Sequence, residues 1–215
     1  NELDLAGLNN PEIRQIKTDV HGFFYVSTNS KIFKANDSIN FFYQLIEIEN
    51  SKISNFIFDD DGSIWVGTFN DGLFHFNHKT NLIKHYTVNL NGTGLSNIGV
   101  MDIDLRKNQL WIATNGGGIN ILDKKTDKFS YPEGAGPYTE FATDIFIDQQ
   151  KKVWTIDVTG LKLFDDITGS FYGYYPYELN PYSIKPSIID MYQDKDGNYW
   201  TLHSPHGVGL RLSSR

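Results

Sequence analysis

The sequence predicts an all-β fold, a β-propeller with five four-stranded blade repeats, and three observations predict it. One phrase occurs five times: an alternating strand, a turn built on Asp and Gly, and an aromatic three residues after the turn position. Its copies are TDVHGFFYVST from Thr18, DDDGSIWVGT from Asp59, LRKNQLWIAT from Leu105, DQQKKVWTID from Asp148 and DKDGNYWTLH from Asp194. The anchor aromatics Tyr25, Trp65, Trp111, Trp154 and Trp200 are separated by 40, 46, 43 and 46 residues, the repeat length of a blade rather than of a helical solenoid. All 4 tryptophans of the chain serve as anchors.

The second repeat is the clearest. Ile53 to Phe58 reads as strand A, and Asp59-Asp60-Asp61-Gly62 turns the chain into strand B, Ile64 to Thr68. Asn70-Asp71-Gly72 leads to strand C, Leu73 to Asn77, and His78-Lys79-Thr80-Asn81 leads to strand D, Leu82 to Tyr86. Gly62 supplies the positive φ that the A to B hairpin needs; Gly22 and Gly197 stand at the same place, and Asn108 tolerates it. Lys151 breaks that rule, so a distorted or longer turn is expected in the fourth repeat.

The same template places the first blade at Ile13 to Lys17, Phe23 to Thr28, Lys31 to Ala35 and Ile39 to Tyr43. The third follows at Ile98 to Ile103, Gln109 to Thr114, Gly118 to Asp123 and Lys128 to Tyr131. The fourth runs Asp144 to Ile147, Val153 to Asp157, Leu161 to Asp165 and Ser170 to Tyr174. The fifth has Ile188 to Gln193, Asn198 to Leu202 and Val208 to Leu212 and then lacks an outer strand. The blades thus span about residues 11–45, 52–87, 97–132, 142–175 and 186–212, with 1–10 an outer strand and connector. Glu2 to Leu5 could supply the missing strand and close a five-bladed ring; equally, the chain could be an excerpt of a seven-bladed propeller.

Composition narrows the function classes. With 26 acidic and 19 basic side chains the formal charge is −7, and no basic stripe offsets phosphate repulsion, so a nucleic-acid reader is disfavoured. The absence of cysteine excludes disulfides and thiolate metal sites. No apolar run approaches a membrane span, and NELDLAGLNN lacks the zones of a signal peptide, so the chain reads as a mature or excised soluble segment.

The wording D-x-D-G-x-x-W-x-G-T at Asp59 to Thr68, the Asn70-Asp71-Gly72-Leu73 turn, the Phe76-Asn77 strand end and Tyr86 before an Asn/Gly loop resemble the two-component regulator propeller repeat. The resemblance extends from about Ile13 to Leu212, although Ile156-Asp157 and Leu202-His203 replace the Gly-Thr after the anchors Trp154 and Trp200. Such repeats form the periplasmic sensor regions of hybrid two-component systems in Bacteroidetes. The resemblance therefore implies a periplasmic sensor that recognises oligosaccharide and signals to a histidine kinase outside this chain, with homodimerisation a further possibility.

In a propeller the B to C turns and the D to A connections share one face. The candidate ligand-binding residues on it are Asn70, Asp71, Asn115, Asp157, His203 and His206 in B to C turns, with Tyr138, Tyr177 and Tyr182 in long D to A connections. Aromatic faces and paired amide or carboxylate groups suit sugar hydroxyls, and the same residue types also build turns and pack loops. The Asp-Gly turns lie on the opposite face, where a structural role is expected; Gly comes too early for a calcium loop and no closing Glu follows. His203 and His206 lack a third metal ligand, His75 and His78 read as surface residues, and no nucleophile elbow, zincin helix or P-loop is present. No cofactor or catalytic residue is assigned. A lyase or glycosidase propeller using Asp157, His203 or His206, or a protein scaffold, stands as the alternative.

Overall fold

The computed structural model describes residues 12–39, 41–77, 80, 82–89, 93–132, 141–157, 160–173, 188–203 and 207–211, and everything described is strand, turn or loop. The first sheet holds β1 (Gln15–Thr18), β2 (Phe24–Ser27), β3 (Lys31–Ala35) and β4 (Phe42–Glu47); the second holds β5 (Ile53–Phe58), β6 (Ile64–Thr68), β7 (Leu73–Asn77) and β8 (Leu82–Tyr86). The third comprises β9 (Val100–Arg106), β10 (Gln109–Thr114), β11 (Gly118–Asp123) and β12 (Lys128–Ser130). The fourth comprises β13 (Ala142–Ile147), β14 (Val153–Asp157), β15 (Gly160–Asp165) and β16 (Ser170–Gly173). A three-stranded sheet of β17 (Ile188–Gln193), β18 (Tyr199–His203) and β19 (Gly207–Arg211) ends the series. Each sheet is an antiparallel meander, the arrangement that short hairpin turns impose on consecutive strands.

The sheets stack face to face in chain order, with β5 beside β9, β9 beside β13 and β13 beside β17. The core is accordingly divided into seams. Tyr25 joins Phe56, Ile64 and Val66 between the first two blades, and Trp65 packs on Val100, Ile103 and Leu110 of the third. Trp111 lies among Ala142, Ile145 and Val153, and Trp154 among Ile188 and Met191. Each of these four anchors is therefore covered by the following blade. A buried indole removes about 200 Å² from water, on the order of 5 kcal/mol before the entropy of ordering is subtracted.

Polar staples cross the same seams. Lys124 of the third blade reaches the Asp59 carboxylate at 2.6 Å, Tyr86 and Lys84 both hold Asp127, and Arg106 grips Asp166 with two nitrogens at 2.5 and 2.6 Å. Bidentate guanidinium to carboxylate contact fixes orientation as well as distance, so it sets how the third and fourth sheets are rotated.

Four expectations change. Among the described residues the five sheets do not close into a ring, one of the two arrangements the sequence allowed, and Glu2 to Leu5, offered as the closing strand, lies outside those residues. The outer strand of the first blade runs Phe42–Glu47, because Asn36 and Phe41 close a hairpin in which Ile39 takes φ 54°. Lys151 does not distort its turn: it adopts φ 66°, and its amide donates to Asp148 O at 2.9 Å as Gly62 does to Asp59 O. The side chains around Asp148 hold that geometry at the cost of left-handed strain in a non-glycine residue. In the third blade Lys107, with φ 56°, takes the role assigned to Asn108, because that turn is one residue shorter.

Candidate functional site

The Asp six residues before four of the five anchors is structural. Asp59, Asp148 and Asp194 each accept the indole N–H of their tryptophan at 2.9 Å, and Asp19 accepts the Tyr25 hydroxyl at 3.1 Å. The other carboxylate oxygen accepts backbone amides of the turn, for example Lys152 N at 2.8 Å on Asp148. Trp200 and Asn198 hold the Asp194 carboxyl down at about 2. In the third repeat Leu105 stands six residues before the anchor, and the buried Trp111 indole nitrogen has no hydrogen-bond partner.

The opposite face gathers the B to C turns and D to A connections. Thr68 and Thr114 end their B strands fully buried, and each hydroxyl donates across the turn to a glycine carbonyl, Gly72 at 2.9 Å and Gly118 at 2.8 Å. Asp157 and His203 occupy the same register position in the fourth and fifth blades, opposite Ala142 and Ile188. Asp157 is buried and ion-paired with Lys162 at 2.6 Å, and His203 Nε2 lies 2.8 Å from the Thr201 hydroxyl. Asn70 pins its turn to the preceding connection, accepting Lys52 N at 3.0 Å and donating to Asn50 O at 3.2 Å. Asp71 accepts the Ser51 hydroxyl at 2.9 Å and faces His85 Nε2 at 3.4 Å. Asn115 is exposed in its turn. Tyr138, Tyr177, Tyr182 and His206 lie outside the described residues.

Beside Asp71 the end of β8 and the connection after it form a cleft of about 540 Å³. His85, Tyr86, Thr87, Asn89, Thr93 and Phe129 line it, so it straddles the seam of the second and third blades. His85 stacks on Phe74 at 4.1 Å and bonds Asp71 O at 2.7 Å, which fixes its ring. Tyr131 donates to Gly94 O at 2.5 Å and Asn89 donates to the Thr93 hydroxyl at 2.7 Å, so the far wall is braced as well. Burial and the Asp127 carboxylate raise the Tyr86 hydroxyl pKa, so that hydroxyl stays protonated as a donor. These residues escaped the sequence reading because they belong to strand D and its exit, not to a turn with a recognisable chemistry. His75 is not the surface residue its sequence position suggests: it stacks on Trp65 at 3.9 Å and contacts Ser63 at 2.7 Å, and desolvation lowers its pKa. His78 lies outside the described residues.

A second polar feature runs along the inner strands. Gln15, Asn55, Asp102, Asp144 and Asp190 hold one register position in successive blades, two residues before the partner of each anchor. Lys17 donates to Asn55 at 2.5 Å, Asn55 donates to Asp102, and Asp102 accepts Ile145 N at 3.2 Å. Burial, with Asp102 alongside, pushes the Asp144 carboxyl well above its ordinary range. Burial likewise lifts Asp104 to about 6, and it depresses Lys17 against the attraction of Asp102 and Asp104. A repeat alignment shows the signal, an apolar residue, any residue, Asn or Asp, then an apolar residue, at Ile53, Val100, Ala142 and Ile188.

Residues 47–70, which carry the second blade's A to B hairpin, match the sequence model of the two component regulator propeller family. The chain carries a two-component regulator propeller repeat. Asp59, Trp65, Gly67 and Thr68 of this repeat are thus the indole acceptor, the seam anchor, the close-packed glycine and the turn lock described above. No curated protein matches the chain in sequence. Among solved structures, an extracellular domain from B. thetaiotaomicron, named as that of a hybrid two component system, aligns at 19% identity and TM-score 0.59, covering 94% of this chain and 33% of that one. PorZ, a surface component of the type-IX secretion system of Porphyromonas gingivalis, aligns at 17% identity and TM-score 0.74, covering 98% and 33%. Virginiamycin B lyase from Staphylococcus aureus aligns at 13% identity and TM-score 0.70, covering 94% and 68%. At these identities the matches establish the propeller fold that the regulator repeat implies. The chain spans 33% of the length of the first two.

Proposed function

We propose that this chain is the ligand-sensing, extracytoplasmic propeller of a hybrid two-component regulatory system, that it lies in the periplasm, and that it recognises an oligosaccharide and signals to a histidine kinase outside these residues. The observation that carries the reading is the regulator propeller repeat joined to the braced cleft at its exit. Thr87, Thr93 and Asn89 offer hydroxyl and amide groups for sugar hydroxyl pairs, and Phe129 and Tyr86 offer aromatic surface, the combination that neutral glycans require. Because Asp71, Ser51 and His85 tie that cleft to the turn and the incoming connection, a ligand seated there favours one arrangement of the seam between two blades. Sensing needs only that differential affinity, so we read the chain as non-catalytic; the likeness to a lyase concerns fold. Isothermal titration against a panel of neutral oligosaccharides tests the proposal. Heat of binding that is lost in Asn89→Ala and kept in Asn115→Ala supports the cleft, and silence across the panel overturns oligosaccharide recognition. Turnover of any of these glycans that is abolished by Asp157→Asn would replace the sensor with an enzyme.

A further inference from the structure

Asn70, Asp71, Asp157 and His203 each engage a neighbour through the side chain, whereas the Asn115 carboxamide is exposed and hydrogen-bonds to nothing among the described residues. The cause lies in the turn. In the second blade Phe69-Asn70-Asp71-Gly72 is pinned through its Asn and Asp side chains to residues 50–52. In the third blade the same place reads Asn115-Gly116-Gly117-Gly118, and the backbone holds it instead. Asn115 N donates to Gly99 O at 2.8 Å, Ser96 Oγ donates to Gly117 O at 2.7 Å, and Thr114 Oγ1 donates to Gly118 O at 2.8 Å. Gly116 takes φ 88°, a conformation that favours glycine, and its N–H donates to no group among the described residues. A free carboxamide thus precedes a free amide on a residue without a β-carbon. Other described asparagines lack that combination: Asn97 accepts Gly99 N at 2.8 Å and precedes Ile98, Asn70 is tied at both ends and precedes Asp71, and Asn120 is fully buried and precedes Ile121. Branched β-carbons of the kind at Ile98 and Ile121 crowd the nitrogen that follows such an asparagine. Asn91 also precedes glycine, and that pair lies outside the described residues.

We propose that Asn115-Gly116 is a site of spontaneous covalent modification, deamidation through a cyclic imide to aspartate and isoaspartate, in the turn that joins the second and third strands of the third blade. Base removes the Gly116 amide proton and the nitrogen attacks Asn115 Cγ. A C–N bond forms there, the Cγ–Nδ2 bond breaks, and Nδ2 leaves as ammonia. Water then opens the imide. Opening at Cγ leaves aspartate, and opening at the main-chain carbonyl leaves isoaspartate, in which Cβ and Cγ join the main chain; nothing is oxidised or reduced. Either product sets a carboxylate in a turn whose other members are glycines. The isoaspartyl link also lengthens the segment that the Thr114 to Gly118 hydrogen bond closes, so it loosens the turn lock of the third blade. It shifts Gly116 as well, where a β-carbon would lie 3.4 Å from the Phe141 ring, and so disturbs the seat of that exposed ring.

The folded chain is incubated at mildly alkaline pH, sampled over time, digested with trypsin and read by mass spectrometry. Cleavage after Lys107 and Lys124 places Asn115 with Asn108 and Asn120, while Asn91 and Asn97 fall in the peptide that ends at Arg106. The expected result is that the 108–124 peptide gains the mass difference between an amide and an acid, that fragment ions put the change on residue 115, and that it forms about tenfold or more faster than at Asn97 or Asn120. Two products of equal mass separate by chromatography, and isoaspartyl methyltransferase labels one of them. Asn115→Gln abolishes the change in that peptide. Asn115 left intact while Asn91 converts, or conversion no faster than at Asn97, overturns the proposal. A single aspartyl product with no isoaspartate overturns the cyclic route, since direct hydrolysis gives only that. Asn115→Asp carries the carboxylate without the added main-chain atom, so the aged chain is expected to melt below this variant, and equal melting overturns the loosened lock.

Discussion

Replacing Asp148 and Asp194 by alanine separates the effect of the repeat motif from the effect of burial. Both carboxylates accept an indole N–H at 2.9 Å and a turn amide, so by sequence they are the same residue in two blades. Asp148, however, is 1% exposed and also receives the Tyr199 hydroxyl of the fifth blade at 2.6 Å. Its removal takes the Asp148 acceptor from the buried Trp154 indole and the shorter of two acceptors from the half-buried Tyr199 hydroxyl, which keeps Gln150 Oε1 at 3.5 Å. At about 1–3 kcal/mol for the buried indole donor, with about 1 kcal/mol for the lost tie to Tyr199 added, Asp148→Ala costs about 2–4 kcal/mol. For a urea dependence of about 2–3 kcal/mol/M that is a fall of about 1–2 M in the unfolding midpoint. Asp194 is half-buried but its bond to Trp200 lies at the surface, where water replaces the lost acceptor, so Asp194→Ala shifts the midpoint far less. Tyr199→Phe, which deletes one donor and strands nothing, costs about 1 kcal/mol. Urea titrations followed by tryptophan fluorescence and far-ultraviolet circular dichroism read all three. Equal shifts for Asp148→Ala and Asp194→Ala would refute the reasoning, because burial would then have no part in the strength of the motif.

Other consequences are equally concrete. Asp104 titrates near 6 in the folded chain and near 3.8 when unfolded, so the folded state binds the extra proton between those values and stability falls as pH rises from about 4 to 6, by on the order of 3 kcal/mol. Asp104→Asn flattens that part of a stability-against-pH curve, and an unchanged slope refutes the assignment. Gly67→Ala places a methyl 2.6 Å from Val100 Cγ1 in a filled seam and costs about 1–3 kcal/mol; adding Val100→Ala recovers part of it in a double-mutant cycle, and strict additivity refutes the contact. Lys162→Met leaves the buried Asp157 carboxylate without its ion-pair partner and lowers thermal stability by about 3–5 kcal/mol, whereas Asp157→Asn with Lys162→Met costs less than Lys162→Met alone.

Much of the architecture is written locally. The spacing of the anchors, the Asp and Gly at fixed offsets and the two-residue alternation specify which segments are strands and which turns join them. The second blade therefore has the same strand limits in sequence and structure. Local chemistry fails where a neighbour supplies the restraint. Lys151 keeps a turn that asks for glycine, because Asp148 holds both flanks of it and Trp154 and Tyr199 hold Asp148. The candidate residues show the same division. Asn70 and Asp71 do sit where turns and connections meet, but their side chains are engaged in bracing that junction.

By itself the chain determined the propeller class, the number of repeats within it and the anchor that faces each seam, since these depend on periodicity and on turn residues a few positions apart. Only the tertiary structure decided which carboxylates are dry, which histidine is stacked, where the cleft opens and which tryptophan is left uncovered. Those properties belong to pairs of blades some forty residues apart in sequence, and burial is set by what the next sheet brings, which no single repeat records.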